Sequence, residues 1–300
     1  MNRIYYILSA FIVCISCGTS QKSTRNSTEK MPKTVFTMID SVKAQFDKIA
    51  ERDSLNTTKK NDKYTDGYTT DDGETVTEEF VPNEKEKLNH AAWNALLQKY
   101  VSDDGKVNYK GFKKDREKLQ EYIFKLGKNM PLETWSKEAK LAYWINAYNA
   151  MTVDLILRSY HVIKSIKDIR NPWKQELWNL GGKWYNLDTI EHEILRKMDE
   201  PRIHFAINCA SFSCPPLLNT AFEAEKLDTQ LTQVTKAFLA DSRRNTITKD
   251  QLEISKIFKW FSKDFKQNGS LIDFLNQYSD IQIDENADID YKDYDWSLNE

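Results

Sequence analysis

The stretch RIHFAINCASFSCPPL, at positions 202–217, combines side chains that carry chemistry with a pattern that sets the local fold. It holds one of the four histidines of the chain, His204, and two of its four cysteines, Cys209 and Cys214. Apolar residues alternate with other residues from position 203 to position 208, which predicts a strand with one apolar face. The two prolines at its end exclude a regular strand or helix interior. We therefore expect a strand that runs into a loop presenting reactive groups on a rigid base.

Outward from this stretch, helical patterns alternate with short hairpin signals. Apolar spacing predicts helices over about 136–160, 188–198 and 224–239. A glycine pair at 181–182, flanked by aromatic segments, predicts a two-residue hairpin turn, and a second hairpin is expected within 246–254. Helices and hairpins that do not follow a βαβ order favour an α+β fold. The prediction is one helix-rich domain with short β-hairpins and a small sheet.

The first 17 residues have the composition of a secretory signal. Asn2 and Arg3 precede the apolar run 4–15, and about 12 apolar residues are too few to span a bilayer. The junction of Ser16 and Cys17 resembles that of a bacterial lipoprotein signal, in which the cysteine after the cut receives the lipid. The alternative is an ordinary secretory signal that is cut nearby. We expect a protein of the bacterial cell envelope that is anchored to the membrane through Cys17, either periplasmic or surface-exposed.

Composition divides the rest of the chain. Residues 18–33 have almost nothing to bury and predict a disordered tether. Residues 34–52 have the spacing of an amphipathic helix, and 53–86 have the composition of a linker. The organised domain is expected at 87–300. A net charge of −2 over 300 residues gives no basic stripe, so nucleic acid is excluded as an expected partner.

Five motifs occur in one order in the second part of the chain: AYWINAYNAMTV at 142–153, LDTIEHEILR at 187–196, PRIHFAINCASFSCPPL at 201–217, LEISKIFKWFSKDF at 252–265 and YDWSLN at 294–299. Together they closely resemble the bacterial branch of the family known as domain of unknown function 547, over roughly the whole predicted domain. The resemblance implies a single α+β domain, often found on bacterial envelope proteins. It implies no established reaction.

The cysteines of the opening stretch allow three interpretations. A thiolate in a loop beside a histidine makes a nucleophile, so Cys209 is a candidate nucleophile with His204 as its base. No histidine follows Cys209 in the chain, so only an upstream imidazole, His192 or His204, is available. A disulfide between Cys209 and Cys214 is a second possibility for a chain outside the cytosol. Inert buried thiols are the third.

Two amides lie on one face of the motif WINAYNA, because Asn146 and Asn149 are three residues apart on a predicted helix. Buried amides need hydrogen-bond partners. They are candidates to orient a catalytic imidazole or to hold a substrate carbonyl. Alternatively, they satisfy the backbone of a buried loop such as the one after Asn208. Trp144 and Asn208 are candidate binding residues.

Aromatic residues around the glycine pair suggest a function of another class. Trp178 and Tyr185 should face each other across the hairpin, with Trp184 beside them. If exposed, Trp178 and Trp184 form a stacking platform for an envelope glycan, peptide or protein. If buried, they close the core.

Metal binding is the weakest of the chemical options. His192 with a neighbouring glutamate, His204 and Cys209 are possible zinc ligands, but two histidines at four-residue spacing and a usual zinc-knuckle spacing are both missing. We expect no metal and no cofactor, since a phosphate-binding glycine loop is also missing from the sequence. The sequence favours a thiol-dependent hydrolase or acyltransferase, with a non-catalytic envelope binding module as the alternative.

Overall fold

The computed structural model describes residues 88–300. The helices in this range are, in chain order, α1 (Ala91–Tyr100), α2 (Tyr109–Phe112), α3 (Arg116–Lys128), α4 (Lys137–Ser159), α5 (Ile203–Ala206), α6 (Leu227–Ala240), α7 (Ile257–Trp260), α8 (Ser262–Phe265) and α9 (Leu271–Asn276). The strands are β1 (Trp178–Leu180), β2 (Lys183–Tyr185), β3 (Thr246–Ile247), β4 (Gln251–Ile254) and β5 (Asp288–Tyr291). The predicted signal, tether, amphipathic helix and linker lie outside the described residues.

Helix α4 forms the centre of the core. It starts where Ser136 accepts a hydrogen bond from the backbone N–H of Ala139, which satisfies one of the free donors of the first turn. Its side chains are buried on every face from Leu141 to Leu157, as expected for a helix that is surrounded by other elements. Helices α3 and α6 pack against it. This helix confirms the long helix predicted at 136–160.

The strands form two separate small sheets. β1 and β2 make an antiparallel hairpin in which Trp178 pairs with Tyr185, as predicted. Gly181 and Gly182 have φ angles of 58° and 87°, which glycine adopts without steric cost. β3 and β4 form the second predicted hairpin, and β5 adds to β4 in parallel, which the sequence did not indicate. The α+β prediction is confirmed. In residues 88–300, no helix has the length and apolar character needed to cross a membrane.

The strand predicted at 203–208 is wrong. Ile203–Ala206 forms the single helical turn α5, and every residue from 203 to 208 is buried. Phe205 packs into a ring cluster with Phe238 and Phe258, whereas His204 stacks on Phe261 at 3.9 Å between ring centres. The alternation therefore does not separate a core face from a solvent face, because both sets of side chains are covered. The expectation that His204 and Asn208 share one face of a strand fails with it.

The helix predicted at 188–198 is also different in form. Thr189–Ile194 is a π-helical turn, followed by the 3₁₀ turn Leu195–Met198. The side chain of Asp188 does not cap this turn, and Asn186 accepts the hydrogen bond from the N–H of Thr189 at 2.8 Å. Single π turns inside helical segments frequently occur at functional sites. This one carries the side chain of Glu191 into the cavity described below.

Candidate functional site

A cavity of about 730 Å³ opens beside the loop that follows α5. Its walls come from α4, the segment 167–174, the π turn, α7 and the C-terminal segment around Tyr294. Its titratable lining residues are Tyr148, Lys167, Arg170, Lys174, Asp188, Glu191, His192, His204, Cys209, Cys214 and Tyr294. The structure therefore brings the predicted nucleophile and the predicted base into one cavity.

The sulfur of Cys209 lies beside two hydroxyl groups. Sγ lies 3.2 Å from Oγ of Ser211 and 3.4 Å from the hydroxyl of Tyr294. A hydrogen bond from the Cys214 thiol, and then those from Ser211 and Tyr294, lower the pKa of Cys209 to about 6 although burial opposes this. Burial raises the pKa of Cys214. At neutral pH, Cys209 is therefore the thiolate of the pair and Cys214 keeps its proton.

Both cysteines are free thiols. The backbone N–H of Cys209 donates to Sγ of Cys214 at 2.9 Å. This hydrogen bond holds the Cys214 sulfur next to the backbone of Cys209. Cys209 is half-buried and Cys214 is buried. A reagent in the cavity thus reaches Cys209 more readily than Cys214.

The backbone directly after Cys209 is strained. Ala210 has a φ angle of 59°, a left-handed conformation that a residue with a Cβ rarely adopts. Oδ1 of Asn208 accepts the N–H of Ala210 at 2.8 Å, and its Nδ2 donates to the carbonyl of Pro215 at 2.7 Å. Asn299, from the C-terminal motif, donates to the same Oδ1 at 3.2 Å. Strain of this kind persists where the surroundings hold it and is concentrated at functional sites.

His204 is held by a carboxylate and a ring. Its Nε2 lies 2.8 Å from Oδ2 of Asp264. The Asp264 carboxylate also accepts two hydrogen bonds from Arg196, one on each oxygen, at 2.6 Å (Oδ2) and 2.8 Å (Oδ1). Burial opposes the ionisation of Asp264, but the hydrogen bonds from Arg196 and His204 outweigh it and hold the pKa of this carboxyl well below its ordinary value. Since a carboxylate only accepts, Nε2 of His204 carries the hydrogen and Nδ1 is the basic nitrogen.

The predicted contact between Cys209 and His204 is not part of this arrangement. Among residues 88–300, no hydrogen bond joins the sulfur of Cys209 to an imidazole, and the donors that lower its pKa are thiol, hydroxyl and backbone groups. Burial lowers the pKa of His204, against the effect of Asp264. His204 is therefore a neutral imidazole in the lining of the cavity, and its role as the base of Cys209 stays a prediction.

Glu191 is a functional candidate that the sequence suggested only as a possible zinc ligand beside His192. Its side chain is 8% exposed and Oε2 accepts a hydrogen bond from the hydroxyl of Tyr148 at 3.1 Å. Burial raises the pKa of Glu191 to about 7. A carboxyl group with this pKa exchanges protons readily at neutral pH, as a general acid or base must. Tyr148 and Tyr294 were likewise missed, although both belong to motifs singled out in the sequence.

The two asparagines of α4 act as clamps on neighbouring backbone. Asn149 donates to the carbonyl of Ala206 at 2.9 Å and accepts the N–H of Asn208 at 2.9 Å. Asn146 makes the same pair of bonds with Phe222, at 2.8 and 3.0 Å. Neither amide lines the cavity. These contacts correspond to the structural role considered for the two amides, and Asn149 clamps the residue that precedes Cys209.

The predicted binding tryptophans lie apart from the cavity. Trp144 is buried against Tyr185, and buried Trp178 donates from its indole nitrogen to Asp154 at 3.0 Å. Trp184 is 55% exposed, so only one of the two hairpin tryptophans is available at the surface. Another aromatic cluster, made of Trp173, Trp260, Tyr294 and Trp296, lines the cavity instead.

The described residues offer little to a metal ion. Within residues 88–300, no group of at least three His, Cys, Asp or Glu side chains is arranged to hold one. His192, a zinc-ligand candidate of the sequence, accepts a hydrogen bond from Arg196 at 3.0 Å and lies 3.8 Å from Asp188.

Comparison with known proteins gives one match. Residues 132–239 match the model of a family described as "Protein of unknown function, DUF547". This part of the chain is therefore similar to the DUF547 family. It contains Asn149, Glu191, His204 and Cys209, whereas Tyr294 lies beyond the matched residues. The DUF547 resemblance is thereby confirmed, and the wider limits of 87–300 stay a prediction. No curated protein and no solved structure matches the chain.

Proposed function

We propose that this protein is a thiol-dependent acyl-transfer enzyme, a hydrolase or an acyltransferase, with Cys209 as its nucleophile. The observation that carries the proposal is the position of the Cys209 sulfur, which lines a cavity and is surrounded by donors from Ser211, Cys214 and Tyr294. A thiolate that forms below neutral pH is a strong nucleophile without a neighbouring base. This support is independent of His204.

The first half of the reaction forms a thioester. The Cys209 thiolate attacks a carbonyl carbon, a carbon–sulfur bond forms, and the carbonyl electron pair moves to the oxygen. The hydroxyl groups of Ser211 and Tyr294, which border the sulfur, donate to the resulting oxyanion. The bond to the leaving group then breaks, and protonated Glu191 supplies the proton that the leaving atom needs.

The second half releases the acyl group. A water molecule, or the hydroxyl or amine of an acceptor, attacks the thioester carbonyl and gives its proton to the Glu191 carboxylate. The sulfur leaves as a thiolate, which restores the starting state. Asn149 and Asn208 act as positioning residues, because they hold the loop and do not line the cavity.

An acyl-enzyme experiment tests this proposal. With phenyl acetate, the full chain should gain one acetyl group on Cys209, detected by mass spectrometry of the intact protein and of its peptides. Glu191→Gln should accumulate this adduct, because phenolate leaves without a proton whereas glutamine takes none from the attacking water, and deacylation should slow by about 10² to 10⁴-fold. Tyr148 loses no hydrogen-bond acceptor in this variant, so a fold change is not expected.

Two matched controls make the result decisive. Cys209→Ser should give no adduct, and Glu193→Gln, which removes an exposed carboxylate paired with Lys197, should behave like the unmodified protein. Acetylation of lysines or of Cys214 with Cys209 untouched would contradict the proposal.

The location of the protein is a separate part of the proposal. We infer that the chain is held in the bacterial cell envelope by a lipid on Cys17, a residue outside the described range. The support is the signal-like composition of residues 1–17, since a lipidated cysteine anchors a chain without a membrane-spanning helix. The wild-type protein should fractionate with membranes, and Cys17→Ser should be released or left uncleaved. Identical fractionation and processing of both forms would refute the anchor.

A non-catalytic binding module remains the second candidate. The observation that favours it is the aromatic cluster of the cavity, in which Trp260 is 47% exposed. Such rings stack on sugars or on planar groups of an envelope partner. This candidate becomes the better account if no acyl-enzyme forms while a ligand still quenches tryptophan fluorescence.

A further inference from the structure

One side of the cavity mouth carries cationic side chains without anionic partners. Lys167, Arg170 and Lys174 are exposed and line the cavity, and none of them forms an ion pair with a carboxylate of residues 88–300. Their segment is fixed locally, because Asp168 accepts the N–H groups of Lys164 and Ser165. Three neighbouring cations at one edge of a cavity produce a field that attracts anions into it.

The acidic side chains of the lining do not neutralise this edge. Glu191 is buried and receives a hydrogen bond from Tyr148, and Asp188 lies 3.8 Å from Nε2 of His192. Both belong to the stretch around the π turn and not to the cationic segment. The mouth is therefore basic, while the interior holds the carboxyl group that the proposed reaction uses.

An aromatic wall connects the cationic edge with the sulfur. The Nζ atom of Lys167 lies 3.9 Å from the centre of a Trp296 ring. Trp296 in turn contacts Tyr294 and Trp260, at 4.5 and 5.8 Å between ring centres. The hydroxyl of Tyr294 ends 3.4 Å from Sγ of Cys209. A flat or apolar group that lies on this wall has one end at the nucleophile and the other end at the cations.

We propose that the cavity selects acyl compounds that carry a carboxylate or phosphate group, with the anion at Lys167, Arg170 and Lys174 and the scissile carbonyl at Cys209. The proposal rests on the function proposed above and adds the class of substrate. A ring or apolar spacer between the two groups stacks on Trp296 and Tyr294, since aromatic faces provide contact area at low entropic cost. The anion gains charge-assisted hydrogen bonds with lysine and arginine.

Binding of matched aryl acetates tests the proposal without turnover. The probes are 4-acetoxybenzoate and 4-acetoxyphenyl phosphate as anions and methyl 4-acetoxybenzoate as the neutral analogue. Each is titrated into full-length Cys209→Ser protein, and the quenching of tryptophan fluorescence gives the dissociation constant. We expect at least one anion to bind about tenfold more tightly than the neutral ester. This preference should decrease as added salt screens the charges of the cationic edge. The two anions together distinguish a carboxylate site from a phosphate site.

A charge-matched pair of variants locates the effect. Combining Lys167→Gln, Arg170→Gln and Lys174→Gln should abolish the preference for anions. The combination Lys125→Gln, Lys236→Gln and Lys266→Gln removes the same charge from exposed positions outside the cavity and should keep it. Equal binding of anionic and neutral probes, no binding of any of them, or equal loss in both variants would overturn the proposal.

Failure of this inference is distinguishable from failure of the proposed function. If the unmodified protein is acetylated on Cys209 at the same rate by anionic and neutral probes, the thiol chemistry stands and the substrate class is wrong. Charge-dependent binding without any acylation supports the anionic site and refutes the thiol chemistry.

Discussion

Asn149→Ala should lower the free energy of unfolding by about 3 to 5 kcal/mol, because it leaves two buried backbone groups without partners at about 1 to 3 kcal/mol each. These groups are the carbonyl of Ala206 and the N–H of Asn208, which the amide now satisfies at 2.9 Å each. The carbonyl belongs to the last residue of α5, and the N–H belongs to the residue before Cys209. Losing both hydrogen bonds should therefore also loosen the loop that presents the thiol. Urea unfolding followed by circular dichroism measures the first effect.

Two other asparagines serve as controls for this substitution. Asn146→Ala removes an equivalent pair of bonds with Phe222 and should destabilise by a similar amount, but with a smaller effect on Cys209 alkylation at temperatures where both variants are folded. Asn129→Ala removes an exposed bond to the carbonyl of Lys125 and should change stability by less than about 0.5 kcal/mol. A decrease in the free energy of unfolding of less than about 1 kcal/mol for Asn149→Ala would contradict the stabilising role of this amide.

Strong local signals made much of the fold predictable. The length and apolar content of 136–160 identified α4, since a long apolar run after a serine has the pattern of a capped, buried helix. The glycine pair identified the β1–β2 hairpin because only residues tolerant of positive φ fit such a turn. In each case the information lies within a few residues of the element that it predicts.

The elements that were predicted wrongly depend on tertiary contacts between distant parts of the chain. The run from Ile203 to Asn208 alternates as a strand does, but its two sets of side chains are both covered, and short apolar runs do not distinguish a strand from a buried helical turn. β5 pairs in parallel with β4, and its partner lies more than thirty positions earlier in the chain. No local pattern records such a contact.

The sequence allowed us to predict the cysteine and the histidine of the candidate site but not the residues that surround them. Cys209 and His204 were recognisable as rare reactive residues close together in the chain, and they do line one cavity. Glu191 reaches the cavity through a π turn that a helical pattern does not anticipate, and Tyr294 arrives from the C-terminal segment. Of the three side chains that lower the pKa of the thiol, Cys214 and Ser211 lie in the same loop, and Tyr294 alone is distant in the chain. Sequence spacing alone therefore suggested an imidazole as the activator, while the structure surrounds the sulfur with thiol and hydroxyl groups.

The rate at which Cys209 is alkylated should follow its low pKa. With iodoacetamide, the rate should rise about tenfold per pH unit below pH 6 and level off above about pH 7, whereas an ordinary thiol of pKa about 8.5 continues to gain rate up to about pH 9. Cys214 should react more slowly at every pH, because it is buried and its pKa is raised. Cys214→Ala should move the midpoint for Cys209 to higher pH, because the hydrogen bond from Cys214 is the largest cause of the lowered value.

His204→Ala provides the decisive comparison in the same experiment. Because no hydrogen bond joins His204 to Cys209, the midpoint of the folded variant should stay within about half a pH unit, well below the shift of one unit that corresponds to about 1.4 kcal/mol. A shift toward the ordinary thiol value would return the activating role to the imidazole.

The most direct test of the central claim is therefore the pH dependence of Cys209 alkylation in native protein, resolved by peptide mass spectrometry. The account predicts a single midpoint near pH 6 on Cys209 without added reductant. A disulfide, which leaves both cysteines unreactive until a reductant is added, or a midpoint above about pH 8 would contradict it.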